Sequence, residues 1–140
     1  MISTLDVLSN GRVLLGVGAG WSQTEFEGYS EWNEPKVRVD KTKEGLELIL
    51  KLWTEDEITF HGKYYQTKRA MLEPKPIKKP HPTLFISGRP RSYRMLKLAG
   101  KRAEIFNVAS RTAQGEEVNA EETKKKQRFC AGECEGSKPR

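Results

Sequence analysis

The sequence is short of the residues that build metal sites and disulfides, and it lacks long apolar runs. It holds two cysteines and two histidines in 140 residues. Cys130 and Cys134 are four positions apart, which suits one helix face, but they lie too far along the chain from His61 and His81 to form a recognisable metal pattern. They read as reduced, incidental thiols, and no metal is expected. No run approaches the roughly 18 apolar residues of a spanning helix. The first residues lack the charged start and apolar block of a signal peptide. No membrane partner is therefore expected, and the cytoplasm is the default location. Both histidines read as solvent-exposed, His61 in a hairpin turn and His81 between prolines, so neither takes a catalytic role and the catalytic residues stay unassigned.

What is present suits one soluble domain over residues 1–140, with 36% hydrophobic and 31% charged residues. A net charge of +6 raises nucleic acid as a partner. The distribution argues against it, because lysines and arginines are spread along the chain. The one dense run, Lys124-Lys125-Lys126, follows Glu121-Glu122 as a solvated helix face would, without interleaved aromatics to stack bases.

Gly16, Gly18 and Gly20 stand on alternate positions after an apolar run. The dinucleotide fingerprint G-x-G-x-x-G opens a helix straight after a strand. Here Trp21 follows the last glycine, and Gly28 and Pro35 come too soon for a long helix to begin there, so the fingerprint fails. A strand reading does better: Val13, Leu14, Leu15 and Val17 form a short apolar run of the kind covered on both faces in a parallel sheet. Glycines inside a strand mark close approach of backbone or ligand. The same residues also suit a core strand with glycines for tight sheet packing.

Ile2, Leu5 and Leu8 recur at helical spacing, and Asn10-Gly11 is a stop signal. A strand over 12–18 follows, then an irregular excursion carrying Phe26, Tyr29 and Trp32. Leu46, Ile49, Leu50 and Trp53 place a helix over 37–54. The stretch "EITFHGKYYQT" reads as a hairpin with His61-Gly62 as a two-residue turn. Prolines 74, 76, 80 and 82 force an irregular approach to a second buried strand over 83–87. A helix over 92–100, a strand over 104–110 and a polar helix over 116–135 complete the chain. Asn107 reads either as a residue at a barrel mouth or as an ordinary polar strand residue. Asp6 and Arg12 flank the first turn and read as a structural pair.

The order β, α, β, α, β, α predicts an α/β fold with a parallel sheet. Three parallel strands leave two bare edges, which natural proteins normally avoid. Closure into an eight-stranded α/β barrel would heal both.

"TLDVLSNGRVLLGVGAGW", "LELILKLWTEDEITFHGKYY" and "LEPKPIKKPHPTLFISG" resemble, in order and spacing, the central part of the bacterial luciferase-like monooxygenase family. The resemblance implies a partial TIM (β/α)8 barrel. Its strands are similar to the fourth to sixth of that barrel, and 19–36 and 55–82 resemble insertions near its mouth. It implies an oxidoreductase that uses FMN or the deazaflavin coenzyme F420 on a small organic substrate. By the resemblance the cofactor phosphate lies on Ser87, Gly88, Arg89 and Ser92, with Arg91 as a second charge. A helix N-terminus and charge-assisted bonds suit such an anion. The commonest form of that loop has a small residue at Arg89, which here either strengthens phosphate binding or partly blocks it. Gly18, Ala19, Gly20 and Trp21 resemble the strand end that faces the flavin ring. A deazaflavin sugar-phosphate dehydrogenase branch carries a catalytic Glu where Trp21 stands, so the resemblance argues against that acid chemistry. Trp21 fits an apolar wall that excludes water, and packing alone suits it as well. The alternative is a non-catalytic barrel remnant that pairs its open sheet edges, as a homo-oligomer or with another polypeptide.

Overall fold

The computed structural model describes residues 1–89 and 92–108. Arg91, the end of the last expected strand, the helix over 116–135, the lysine run and both cysteines lie outside the described residues. The elements run α1 (Ile2–Leu8), β1 (Leu14–Val17), α2 (Gln23–Glu27), α3 (Pro35–Thr54), β2 (Ile58–His61), β3 (Gln66–Ala70), β4 (Thr83–Gly88), α4 (Tyr93–Arg102) and β5 (Ile105–Val108). Among the described residues no helix is long and apolar enough to cross a membrane. Two compact units result: Met1–Leu15 with Asp40–Thr83, and Gly16–Val39 with the described residues from Leu84 on.

In the first unit α1 stops where the Asn-Gly signal says. Asn10 and Gly11 take φ values of 55° and 75°. The N–H of Asn10 donates to Val7 O and that of Gly11 to Asp6 O, at 3.1 and 2.8 Å. These two bonds satisfy carbonyls that a helix end leaves open. The expected pairing of Asp6 with Arg12 is not what forms. Asp6 is fully buried, and its Oδ2 accepts the backbone N–H of Lys78 at 3.0 Å. Arg12 instead donates from Nε to Ser9 O at 2.7 Å. A buried carboxylate needs a nearby donor, and the proline-rich approach supplies a backbone one from 72 residues away.

Leu46 and Trp53 of α3 are buried as their spacing requires. Ile49 is 36% exposed; with Met1, Ile2, Leu15, Leu52 and Trp53 it lines an apolar cleft of about 270 Å³. The carboxyl end of α3 carries the negative pole of the helix dipole. Lys75 answers it, its ammonium donating to Leu52 O at 3.0 Å and Glu55 O at 2.5 Å.

The hairpin turn is longer than its sequence suggests. His61 pairs with Gln66, and Gly62 N–H donates to Tyr65 O, so four residues turn instead of two. The cause sits on α3. The Glu44 carboxylate accepts the backbone N–H groups of Lys63, Tyr64 and Tyr65 at 3.1, 2.7 and 2.8 Å. Partial desolvation works to raise the Glu44 pKa, but the N–H groups of Tyr64, Tyr65 and Lys63, with the Lys63 ammonium, outweigh it and hold the carboxyl below its ordinary value. Folding therefore favours the ionised form. Its stabilisation is present above the unfolded glutamate value of about 4.3 and is lost as pH falls through the lower folded value. Urea midpoints of wild type and Glu44→Gln should differ at about pH 6 and converge towards about pH 3. A constant gap across that range would contradict the role given to the charge.

In the second unit β4 is the middle strand of a sheet ordered β1-β4-β5. Leu84 and Ile86 are fully buried. β5 pairs parallel to β4, with Ser87 opposite Asn107 and Gly88 opposite Val108. The Glu104 carboxylate accepts the N–H of Leu84 at 2.7 Å. α4 buries Met95, Leu96, Leu98 and Ala99, the i, i+1, i+3, i+4 stripe of a helix lying on a sheet. β1 differs from expectation, being half covered rather than buried on both faces: Leu14 is 48% exposed. It sits at an edge of the sheet among the described residues, and β4 alone has a strand on each side.

Candidate functional site

Every site residue expected from the sequence falls in the second unit. At the carboxyl end of β4 the chain passes from Ser87 and Gly88 through an exposed Arg89 to Ser92, the N-cap of α4. The Ser92 N–H donates to Arg89 O at 2.9 Å. An N-cap serine ordinarily turns its hydroxyl back onto the helix. Ser92 makes no such side-chain bond. Gly88 lets strand and helix approach closely, since a Cβ there would stand 3.2 Å from Met95 Cβ. Ser87 is half-buried, and its Oγ accepts from Asn107 Nδ2 at 3.4 Å. This bond joins register partners on neighbouring strands and suits both readings of Asn107.

The end of β1 is built differently. Gly18 is exposed, with the nearest atom to a Cβ built there being Ser87 O at 3.9 Å. Ala19 is half-buried, and its carbonyl accepts from Arg38 Nε at 3.2 Å. Gly20 has φ +79°, and a Cβ there would stand 2.1 Å from Phe26 Cε2. Both facts demand glycine. Trp21 is 64% exposed.

The excursion after Trp21, expected to be irregular, contains α2; the signal missed is the cap pattern Ser22-Gln23-Thr24-Glu25. Ser22 Oγ accepts the Glu25 N–H at 3.4 Å, the first half of a capping box. Phe26 on α2 meets Trp32 edge to face at 5.3 Å. The Arg38 guanidinium lies 3.7 Å from the centre of the Trp32 ring. Arg38 and Asn107 are the side chains here that reach a site residue across the sequence. Arg38 gives no local signal, because its partners Ala19 and Asn33 are fixed only by folding. His61 is exposed as expected, whereas His81 is half-buried with Nδ1 2.9 Å from Pro82 O.

The expected site residues thus fall at two places, the start of α4, where the Ser92 hydroxyl makes no capping bond, and the glycine-rich end of β1 beside an exposed indole. Both fit a ligand that carries a phosphate and a flat ring system.

A model of the luciferase-like monooxygenase family matches residues 1–129. The FMNH(2)-dependent dimethylsulfone monooxygenase of Pseudomonas putida is 34% identical over 94 residues, 66% of this chain and 26% of its own length. The F420-dependent glucose-6-phosphate dehydrogenase of Amycolatopsis mediterranei is 37% identical over 109 residues, 77% of this chain and 32% of its own length. Among solved structures, an F420-dependent secondary alcohol dehydrogenase superposes with a TM-score of 0.70 at 28% identity, over 93% of this chain and 39% of that one. A long-chain alkane monooxygenase superposes at 0.73 with 22% identity, over 96% and 34%, and shows a shared fold alone. The chain spans about a quarter to a third of the length of these curated relatives. The fold is α/β, a partial (β/α)8 barrel, with no closed barrel among the described residues.

Proposed function

The chain belongs to the luciferase-like monooxygenase family, and on that premise we propose that it carries the phosphate seat and one wall of the ring pocket of an oxidoreductase using FMN or F420. The observation that carries this is the β4–α4 turn, where Ser92 caps the helix without spending its hydroxyl on it. Gly88 backbone, the Ser87 and Ser92 hydroxyls and the Arg89 guanidinium hold the phosphate. Gly18, Ala19, Gly20 and Trp21 form the ring-side wall, and the exposed indole shields one edge of the ring from water. When bound, the reduced cofactor supplies the electrons for hydride transfer or oxygen activation on a small organic substrate. The protein's part is to orient the ring, anchor its tail and exclude solvent. The strands correspond to the fourth to sixth of the barrel, with 19–36 and 55–82 as insertions near its mouth.

The 140 residues taken alone, spanning about a quarter to a third of these relatives, should bind cofactor weakly and turn over little. Flavin-fluorescence titration separates the phosphate seat from the ring wall. FMN and riboflavin share the ring, and only FMN has the phosphate. Charge-assisted bonds contribute about 1.5–3 kcal/mol, so FMN should bind about tenfold or more tightly than riboflavin. Equal affinities would overturn the phosphate seat.

A second reading rests on the sheet edges. β1 and β5 flank the described sheet with Leu14 and Ile105 48% and 40% exposed, which suits pairing with a second copy or another polypeptide. A defined dimer in light scattering, without flavin affinity, favours that remnant role.

A further inference from the structure

We infer that Arg38 is a positioning residue that fixes the ring-side rim, Ala19 to Trp21, for the cofactor; this rests on the reading above. Gly18-Ala19-Gly20 has almost no stiffness of its own, because ordering each residue costs about 1–2 kcal/mol of backbone entropy and glycine loses most. A rim that holds a ring in register must be stiffened from outside.

Arg38 does so at three points. Its Nε donates to Ala19 O at 3.2 Å, and its Nη1 donates to Asn33 O at 2.5 Å. Its guanidinium plane covers the Trp32 ring at 3.7 Å. Trp32 in turn meets Phe26, whose ring occupies the space that a side chain at Gly20 would need. Arg38 therefore grips the rim directly at Ala19 and through Trp32 and Phe26 at Gly20. A planar, delocalised cation stacks flat on a ring while its forked donors point outward in the plane, an arrangement that a compact ammonium reproduces only in part.

The same turn of α3 also serves the other end of the site. Arg94, in the first turn of α4, donates from Nη1 to Lys36 O at 3.2 Å. Lys36 is two residues before Arg38, so the phosphate helix and the ring rim are tied to one short piece of backbone. That arrangement fixes the spacing between a bound phosphate and a bound ring.

The test compares wild type, Arg38→Met and Arg38→Lys by amide hydrogen exchange and by FMN and riboflavin titration. Arg38→Met should speed exchange at Ala19, Gly20 and Trp21 about tenfold or more, with exchange over Leu46 to Trp53 unchanged as the sign of an intact fold. FMN and riboflavin should weaken by a similar factor, because the ring side is disturbed. Arg38→Lys should restore only part of both. Unchanged exchange at the rim, or unchanged riboflavin and FMN affinity in a folded Arg38→Met chain, overturns the assignment, as does full recovery by lysine. Wild type that binds neither FMN, riboflavin nor F420 overturns the underlying reading instead, and the rim exchange then tells whether Arg38 still holds the loop.

Discussion

Leu96→Ala is expected to destabilise the chain by about 3 kcal/mol, the middle of the range for emptying a fully buried leucine site. Leu96 has no exposed surface and lies on α4 between Met95 and the buried Leu98 and Ala99. Among the described residues, the second unit draws its buried apolar side chains from β4 and α4, namely Leu84, Ile86 and the four on the helix. A core of that size has little with which to refill a cavity. Most of the transfer and cavity cost should therefore be felt. Urea denaturation measures it, and thermal melting should move down by about 10 °C for a chain of this length. Leu96→Met conserves volume and should lose less than about 1.5 kcal/mol.

Arg89→Glu tests charge rather than packing. Two unit charges about 8 Å apart in water interact by about 0.5 kcal/mol. Reversing one charge doubles the change, and a dianionic phosphate doubles it again, to about 2 kcal/mol. At physiological salt the Debye length is about 8 Å, which cuts this to about 1 kcal/mol. FMN should therefore bind about fivefold more weakly, and raising the salt should shrink the difference. Riboflavin affinity should not change. Arg89 is exposed, so its replacement should leave stability almost untouched. Arg89→Gly decides between the two roles its side chain admits: weaker FMN binding means that Arg89 assists, and tighter binding means that it obstructs.

The parts legible in the sequence were those set by local rules. The helical spacing of Leu46 and Trp53, the Asn10-Gly11 stop and the buried strand expected over 83–87 each named an element, and each stands within a few residues of its expected place. The proposal that Ser87 to Ser92 seat an anion draws on family resemblance, because a strand end with arginines before a helix has no distinctive spacing. What escaped was long-range. Glu44 reaches a loop about twenty residues away and lengthens its turn, and nothing in "HGKY" announces that carboxylate. Asp6 bonds to Lys78 rather than to the nearer Arg12, because burial selects a donor by position in space. Arg38 looks like one more charge on an amphipathic helix until its plane is found over Trp32.

The most direct measurement is an amide-resolved NMR titration of the chain with FMN, which tolerates weak binding. Shifts concentrated at Gly88, Arg89 and Ser92 and at Gly18 to Trp21, with the first group following inorganic phosphate and the second riboflavin, are the predicted outcome. A flavin that moves only the hairpin around Glu44 or the apolar cleft beside Trp53 would place the ligand elsewhere and contradict the account.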